Sequence, residues 1–140
     1  MKFLLDTNVL SEFYRGRSAD ANVLRWSMGC DQRDFAISVI NLKELEYGVL
    51  NIARRDAARS LSLRAWLDHF LLSQLGDRLI PVDSEVARRA AALDVPNRHP
   101  IADGLIAATA LVHDLTMVTR NATHFIPMGV RLLNPWDDDA

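Results

Sequence analysis

Four polar residues, far apart in the chain, could together hold a divalent cation. Asp6 follows the apolar run Phe3–Leu5 and precedes a helical pattern, so it lies where a buried strand ends. Glu44 and Asp103 lie near the starts of predicted helices, and Asn121 follows a predicted strand. Carboxylates packed together raise one another's pKa, and a cation removes that penalty. Mg²⁺ suits such a set because it takes few carboxylates and keeps several waters.

Each of the four also has an ordinary structural interpretation. Asp6 could cap the following helix, Glu44 could be a solvated helical glutamate, and Asn121 suits a turn. Asp103, in a first turn, is favoured by the helix dipole. The dipole explains why an acid is tolerated there, but not why the apolar helix IADGLIAATALV begins at a sheet edge with its acid directed there. Taken together, the residues favour a functional site.

Short apolar strands alternate with helical patterns along the chain. Strands are predicted near residues 3–5, 35–39, 79–82, 115–119 and 130–133. Helices are predicted near residues 8–14, 19–28, 40–52, 56–75, 84–93 and 101–113. This alternation predicts an α/β fold with a parallel sheet of about five strands and helices on both faces. The four polar segments should then meet at the carboxyl edge of the sheet, where such folds bind ligands.

Length and composition restrict the class of protein. The 140 residues suit one domain, which we expect to span residues 1–136, followed by an acidic, solvated tail over 137–140. A net charge of −2 gives no general basic excess, so nucleic-acid binding would need a local patch. The lone Cys30 cannot form an internal disulfide, and no apolar run approaches a membrane span of about 18 residues. A cytoplasmic protein that does not contact membranes is therefore expected.

Several other chemistries lack their sequence patterns. The four histidines are scattered and have no zinc-ligand spacing, and the glycines form no phosphate-binding loop. No Gly-x-Ser-x-Gly elbow of a serine hydrolase is present. An aspartyl-phosphate phosphohydrolase usually has a second aspartate two residues after the first, and that position is Asn8. A metal-dependent site of oxygen ligands remains the best-supported chemistry.

The chain resembles the PIN-domain ribonucleases, specifically the VapC/FitB-type toxins of prokaryotic toxin–antitoxin modules. The segments that carry the resemblance span residues 3–136 in the family's order and spacing: LLDTNVLSE, ISVINLKELEYGV, ADGLIAATAL, VTRNATHF and the closing NPW. Each segment alone is weakly specific, but all of them in order are strongly specific. The resemblance implies a PIN-like fold and an endoribonuclease that depends on Mg²⁺, or on Mn²⁺ as a substitute.

By position, the resemblance implies a catalytic set of Asp6, Glu44, Asp103 and Asn121. Asp6 and Asp103 would hold the metal ion together with Glu44, which would also act as general base. Asn121 falls where many members have a fourth acid, and its neutral side chain leaves open whether one or two metal ions bind. The residues that would orient the first acid or contact the substrate are Thr7, Asn8, Arg98, Thr119 and Arg120.

The resemblance also implies partners. These are an RNA substrate, a cognate antitoxin whose tail crosses the acidic edge, and a second copy of the chain in a homodimer, with a larger toxin–antitoxin assembly also compatible. Operator DNA would be bound through the antitoxin. The alternative is a non-catalytic PIN-like module that binds RNA or protein, an interpretation favoured by Asn121. Arginines 54, 55, 59 and 64 give one helical segment a basic side, which either receives RNA or is simply solvated.

Overall fold

The computed structural model describes all 140 residues. Five short strands occupy Phe3–Leu5 (β1), Phe35–Ser38 (β2), Leu79–Ile80 (β3), Thr116–Val118 (β4) and Leu132–Leu133 (β5). They form one sheet in the order β3-β2-β1-β4-β5, and every neighbouring pair is parallel. All five strands lie at the predicted places, each shorter than or equal to its predicted range.

The helices are Thr7–Tyr14 (α1), Ala21–Met28 (α2), Val39–Ala53 (α3), Ala57–Ala65 (α4), Leu72–Leu75 (α5), Ser84–Leu93 (α6), Ile101–Val112 (α7) and Ala122–Phe125 (α8). The helix predicted over 56–75 is not uniform, because a π-helical turn over Trp66–Leu71 separates α4 from α5. The short α8, directly after β4, had no sequence-based prediction. None of the helices is long and apolar enough to cross a membrane.

Alternating side chains of the strands build two cores. On one face, Leu4, Ala36 and Met117 pack with residues of α7. On the other face, Leu5, Ile37 and Val118 pack with residues of α1, α2 and α3. Because strand side chains alternate between faces, a strand that is apolar on both faces needs cover on both. This arrangement confirms the predicted α/β fold with helices on both faces of the sheet.

Local capping fixes the helices that lead away from the sheet edge. Ser38 caps α3, and the side chain of Asn41 accepts a 3.1 Å hydrogen bond from the Ser38 N–H, which completes a capping box. Asn41 therefore supports the cap that Ser38 forms. The carboxylate of Asp83 caps α6 through the Val86 N–H. Strand β3 lies at the edge of the sheet, a position that tolerates the following Pro81.

Two side-chain contacts on the surface involve the basic helical segment and the C-terminal tail. Arg64 forms a two-point ion pair with Glu46, in which Nη1 of Arg64 lies 2.7 Å from Oε1 of Glu46. The carboxylate of Glu46 therefore balances the charge of Arg64, one of the four arginines in the basic helical segment. The C-terminal tail is fixed at one point, because the amide of Asn22 donates to the Trp136 carbonyl at 2.7 Å and to the Asp138 carboxylate at 2.8 Å.

Candidate active site

A cavity of about 580 Å³ opens at the carboxyl edge of the sheet. Its wall includes all four residues of the predicted catalytic set, Asp6, Glu44, Asp103 and Asn121. The other residues that line it are Thr7, Asn8, Ser11, Arg120, Thr123, His124 and Phe125. The cavity is strongly polar, because Phe125 is the one hydrophobic residue in its wall. Residues from four separate parts of the chain therefore meet where the sheet topology predicts a ligand site.

Asp6 is the buried carboxylate of the cavity, and 8% of it is exposed. It lies between β1 and α1, where one oxygen accepts the Thr7 N–H at 2.8 Å and the other accepts the Thr119 hydroxyl at 2.8 Å. Burial raises the pKa of Asp6, a shift opposed by the hydrogen bonds and reinforced by the negative charge of Asp103. Asp6 thus caps a helix and also presents a destabilised carboxylate to the cavity.

Two asparagines form hydrogen bonds with Asp6 and with the residues around it. The fully buried amide of Asn41 donates to the Thr7 hydroxyl at 3.2 Å and, at 3.5 Å, to Asp6. The Asn8 amide donates to Asp6 at 3.4 Å, while its carbonyl accepts the Arg120 N–H at 3.2 Å, which joins the ends of β1 and β4. Asn41 was missed as a site residue, although it lies three residues before Glu44 on the same flank of α3.

Glu44 and Asp103 reach the cavity from opposite helices. Glu44, on α3, is exposed, and its Oε1 accepts the Thr7 hydroxyl at 2.7 Å. Asp103 lies in the first turn of α7 with 27% of its side chain exposed. Its Oδ2 lies 2.7 Å from Nε2 of His124, a residue that the sequence did not single out. The signal was weak, because His124 lies in the four-residue α8, too short to show a helical period.

Three of the five residues predicted to orient the first acid or contact substrate line the cavity, and two do not. Thr7, Asn8 and Arg120 line the cavity, whereas Arg98 is exposed on the loop before α7 and does not line it. Thr119 does not line the cavity, because it is fully buried and its hydroxyl donates to Asp6. The Thr119 side chain therefore positions the carboxylate of Asp6 from the protein interior.

Arg120 is held beside the cavity by the end of the chain. Its guanidinium carbon lies 5.3 Å from the centre of the Trp136 ring, within the range of a cation–π contact. The side-chain amide of Asn134 donates to the Arg120 carbonyl at 3.3 Å. Both contacts come from the NPW segment, so this segment holds Arg120 beside the cavity.

The residues present fit a divalent ion that is only partly enclosed by protein. No lysine or arginine forms an ion pair with Asp6, Glu44 or Asp103. The one basic side chain in contact with Asp103 is the imidazole of His124. No three His, Cys, Asp or Glu side chains lie close enough to enclose an ion by themselves. Such a set does not suit a closed zinc site. It suits an ion that keeps waters and takes substrate phosphate oxygens as its remaining ligands.

Comparison with known proteins decides the family. The family model described as the PIN domain matches residues 3–125. The chain belongs to the PIN-domain family. This match covers β1 to β4 and all four residues of the predicted catalytic set. PIN-domain ribonucleases generally depend on a divalent metal ion.

The relatives of this PIN domain are full-length matches. The chain is 34% identical to Toxin FitB of Neisseria gonorrhoeae, over 96% of this chain and 99% of that protein. It is 31% identical to VapC ribonuclease Y4jK of Sinorhizobium fredii, over 96% and 97% of the two chains. The structure of FitAB bound to a DNA fragment has a TM-score of 0.86 and 30% identity, over 96% of each chain.

Proposed function

We propose that this PIN domain is the toxin of a toxin–antitoxin pair and acts as a Mg²⁺-dependent endoribonuclease, with Mn²⁺ as a substitute. The observation that carries the proposal is the common cavity of Asp6, Glu44 and Asp103, three carboxylates with no lysine or arginine paired to them. The relatives named as a toxin and as a ribonuclease supply the class of activity.

The roles of the acids follow from their surroundings. Asp6 and Asp103 would hold the ion, with Glu44 as a further ligand. Thr119 and Asn41 keep the buried carboxylate of Asp6 in one orientation. When bound, the ion neutralises the acids, polarises the scissile phosphate and lowers the pKa of the attacking water. Asn121 remains in the proposed set as a neutral polar group on the cavity wall.

Glu44 is the group best suited to take a proton from water. Its carboxylate is exposed to the cavity, and the hydroxyl of Thr7 fixes one of its oxygens while the other stays free to accept a proton. Arg120, held against Trp136, would bind a phosphate next to the scissile bond. Hydrolysis of this kind leaves a 5′-phosphate and a 3′-hydroxyl.

The proposed partners follow from the same assignment. A groove of about 450 Å³ shares Thr7, Ser11 and Glu44 with the cavity and continues to Trp66. Seven of the 13 residues lining it are hydrophobic, which suits the tail of a cognate antitoxin crossing the acidic edge. We further propose a cytoplasmic homodimer whose toxin–antitoxin complex reaches operator DNA through the antitoxin, since FitAB has been solved with bound DNA.

The proposal is tested with the purified chain and a structured RNA. Cleavage should require Mg²⁺, stop with EDTA, and return when Mg²⁺ is restored. Glu44→Gln should bind the same RNA but cleave it at least about a hundredfold more slowly. RNA binding without metal-dependent cleavage by the wild-type chain would favour the non-catalytic alternative and overturn the proposed activity.

A further inference from the structure

The groove beside the acidic cavity follows α1 away from the sheet edge. Its α1 wall contains Thr7, Ser11 and Arg15, which are spaced four residues apart and share one helix face. Thr7 marks the end next to the cavity, because its hydroxyl donates to Glu44. With a rise of about 1.5 Å per residue, Arg15 lies about 12 Å farther along the groove.

The α3 wall of the groove runs in the same direction. Glu44 and Ile52 both line it, and eight residues of helix again span about 12 Å. The hydroxyl of Ser60 donates to the Val49 carbonyl at 3.1 Å, which places the start of α4 beside the second half of α3. Arg59 directly precedes Ser60 and lines the groove, so it lies in the half remote from the cavity.

The two ends of this groove therefore carry opposite charges. The cavity end carries the carboxylate of Glu44, and the far end carries the guanidinium groups of Arg15 and Arg59. Arg59 forms no ion pair, and the one acidic contact of Arg15 is the buried Glu12 at 3.4 Å. The far end can accept an anion from a partner, because one of its two positive charges is uncompensated.

We propose that this groove binds an apolar peptide segment that carries an acidic residue, and that the acid pairs with Arg15 and Arg59. Guanidinium groups bind carboxylates through charge-assisted hydrogen bonds, often two at a time. The acid lies about 12 Å from the part of the segment next to Glu44, which is about eight residues along a helix or about four along an extended strand. That the segment belongs to the antitoxin tail rests on the proposed function, whereas the order of charges rests on the groove alone.

The lining between the two ends favours a peptide over RNA, whose phosphates could also reach the arginines. The aliphatic side chains there offer no hydrogen bonds to base edges, and they are Leu45, Val49, Ile52, Leu63 and Leu67. The aromatic rings of Tyr14 and Trp66 already pack edge to face against each other, with centroids 5.5 Å apart. Aliphatic side chains of a peptide therefore fit the groove better than nucleobases.

Selection from a peptide library tests this chemistry without RNA or metal. Random peptides of about 12 residues, long enough to span the groove in either conformation, are displayed on phage and selected on the full-length chain in EDTA. The selected peptides should be enriched in Asp and Glu among Leu, Ile and Val. A chain of net charge −2 has no general preference for acidic peptides, so enrichment must come from a local site.

Arginine variants locate that site. A synthetic peptide from the wild-type selection should bind Arg15→Gln/Arg59→Gln at least about tenfold more weakly. Arg59→Glu should select fewer acidic and more basic peptides than the wild type. The matched control is Arg54→Gln/Arg55→Gln, two exposed arginines outside the groove, which should select and bind the acidic peptides like the wild type.

The other outcomes would overturn the groove assignment. These are a selection without binders, binders without acidic residues, or acidic binders that are unaffected by Arg15→Gln/Arg59→Gln. If that double variant loses RNA affinity but keeps its peptide affinity, the groove belongs to RNA.

The result can be separated from the fate of the nuclease assignment. Metal-dependent RNA cleavage by a chain that selects no acidic peptides would overturn the groove assignment alone. Acidic binders that require Arg15 and Arg59 support the groove assignment, even where no RNA is cleaved and the proposed activity fails.

Discussion

The hydroxyl of Thr7 donates a 2.7 Å hydrogen bond to Oε1 of Glu44, which links the start of α1 to the first half of α3. The same hydroxyl accepts the amide of Asn41 at 3.2 Å. Because Thr7 also donates its backbone N–H to Asp6, one residue fixes two of the three acids. The geometry of the acidic cavity therefore depends on Thr7, the first residue of α1.

Removing this hydroxyl should reduce catalysis. Thr7→Val keeps the shape of the side chain but leaves Glu44 without its partner, so we expect kcat to fall about 10- to 100-fold with the fold intact. Steady-state cleavage of a fluorogenic RNA measures the change. Thr123→Val is the matched control, since Thr123 is an exposed threonine on the same cavity wall whose hydroxyl makes no hydrogen bond. Equal losses in both variants would refute the role of Thr7.

Thr119 should matter for stability as well as for metal binding. Thr119→Val removes the donor to Asp6 and the acceptor of the Asn121 N–H, both at a fully buried position. We expect a loss of about 1–3 kcal/mol in unfolding free energy, measured by urea denaturation, and weaker Mn²⁺ binding. The buried Thr109 bonds only its own helix, so Thr109→Val should leave metal affinity unchanged. Unchanged metal affinity in Thr119→Val would contradict the positioning role.

The contact between Arg120 and Trp136 predicts an effect on RNA affinity. Trp136→Leu removes the cation–π partner, worth about 0.5–1 kcal/mol at an exposed site, so affinity should fall about two- to fivefold. Arg120→Gln should weaken RNA binding further. It should also reduce, by about one, the slope of the logarithm of the binding constant against the logarithm of the salt concentration. Fluorescence anisotropy in EDTA measures binding without cleavage. Arg98→Gln is the control, and a larger effect there than in Arg120→Gln would reverse the assignment.

The Glu46–Arg64 ion pair predicts a pH-dependent contribution to stability. The Arg64 guanidinium holds the pKa of Glu46 below its ordinary value of 4.5. An acid with a lowered folded-state pKa adds stability above its unfolded pKa, and that stability is lost as pH falls through the folded value. Glu46→Gln should therefore lower Tm near neutral pH, and the gap to wild type should close in acid. A gap that stays constant across pH in thermal melts would contradict this.

The sequence was enough to predict the five strands, most of the helices and the acids that meet at the sheet edge. Apolar strand runs and helical periods are local signals, so the parallel architecture and the placement of Asp6, Glu44 and Asp103 could be read directly. The domain limit at residue 136 stays a proposal. It is supported by β5, which pairs with β4 beyond the end of the family match at residue 125.

What the sequence could not provide were contacts between distant residues. Asn41 acts on Asp6 across 35 positions, and His124 meets Asp103 across 21 positions. The sequence also could not show that Thr119, the residue after β4, keeps its side chain inside, where Asp6 accepts its hydroxyl. The π-helical turn at Trp66–Leu71 also has no local signature beside an ordinary helical pattern.

The central claim is that acids from distant segments share one cation at the sheet edge, and Asp103→Asn tests it most directly. Asp103 has no backbone partner to lose, so the variant should keep the circular dichroism spectrum of the wild type. We predict that it loses Mg²⁺-dependent RNA cleavage by at least about a hundredfold. If folded Asp103→Asn cuts RNA as fast as the wild-type chain, the account is wrong.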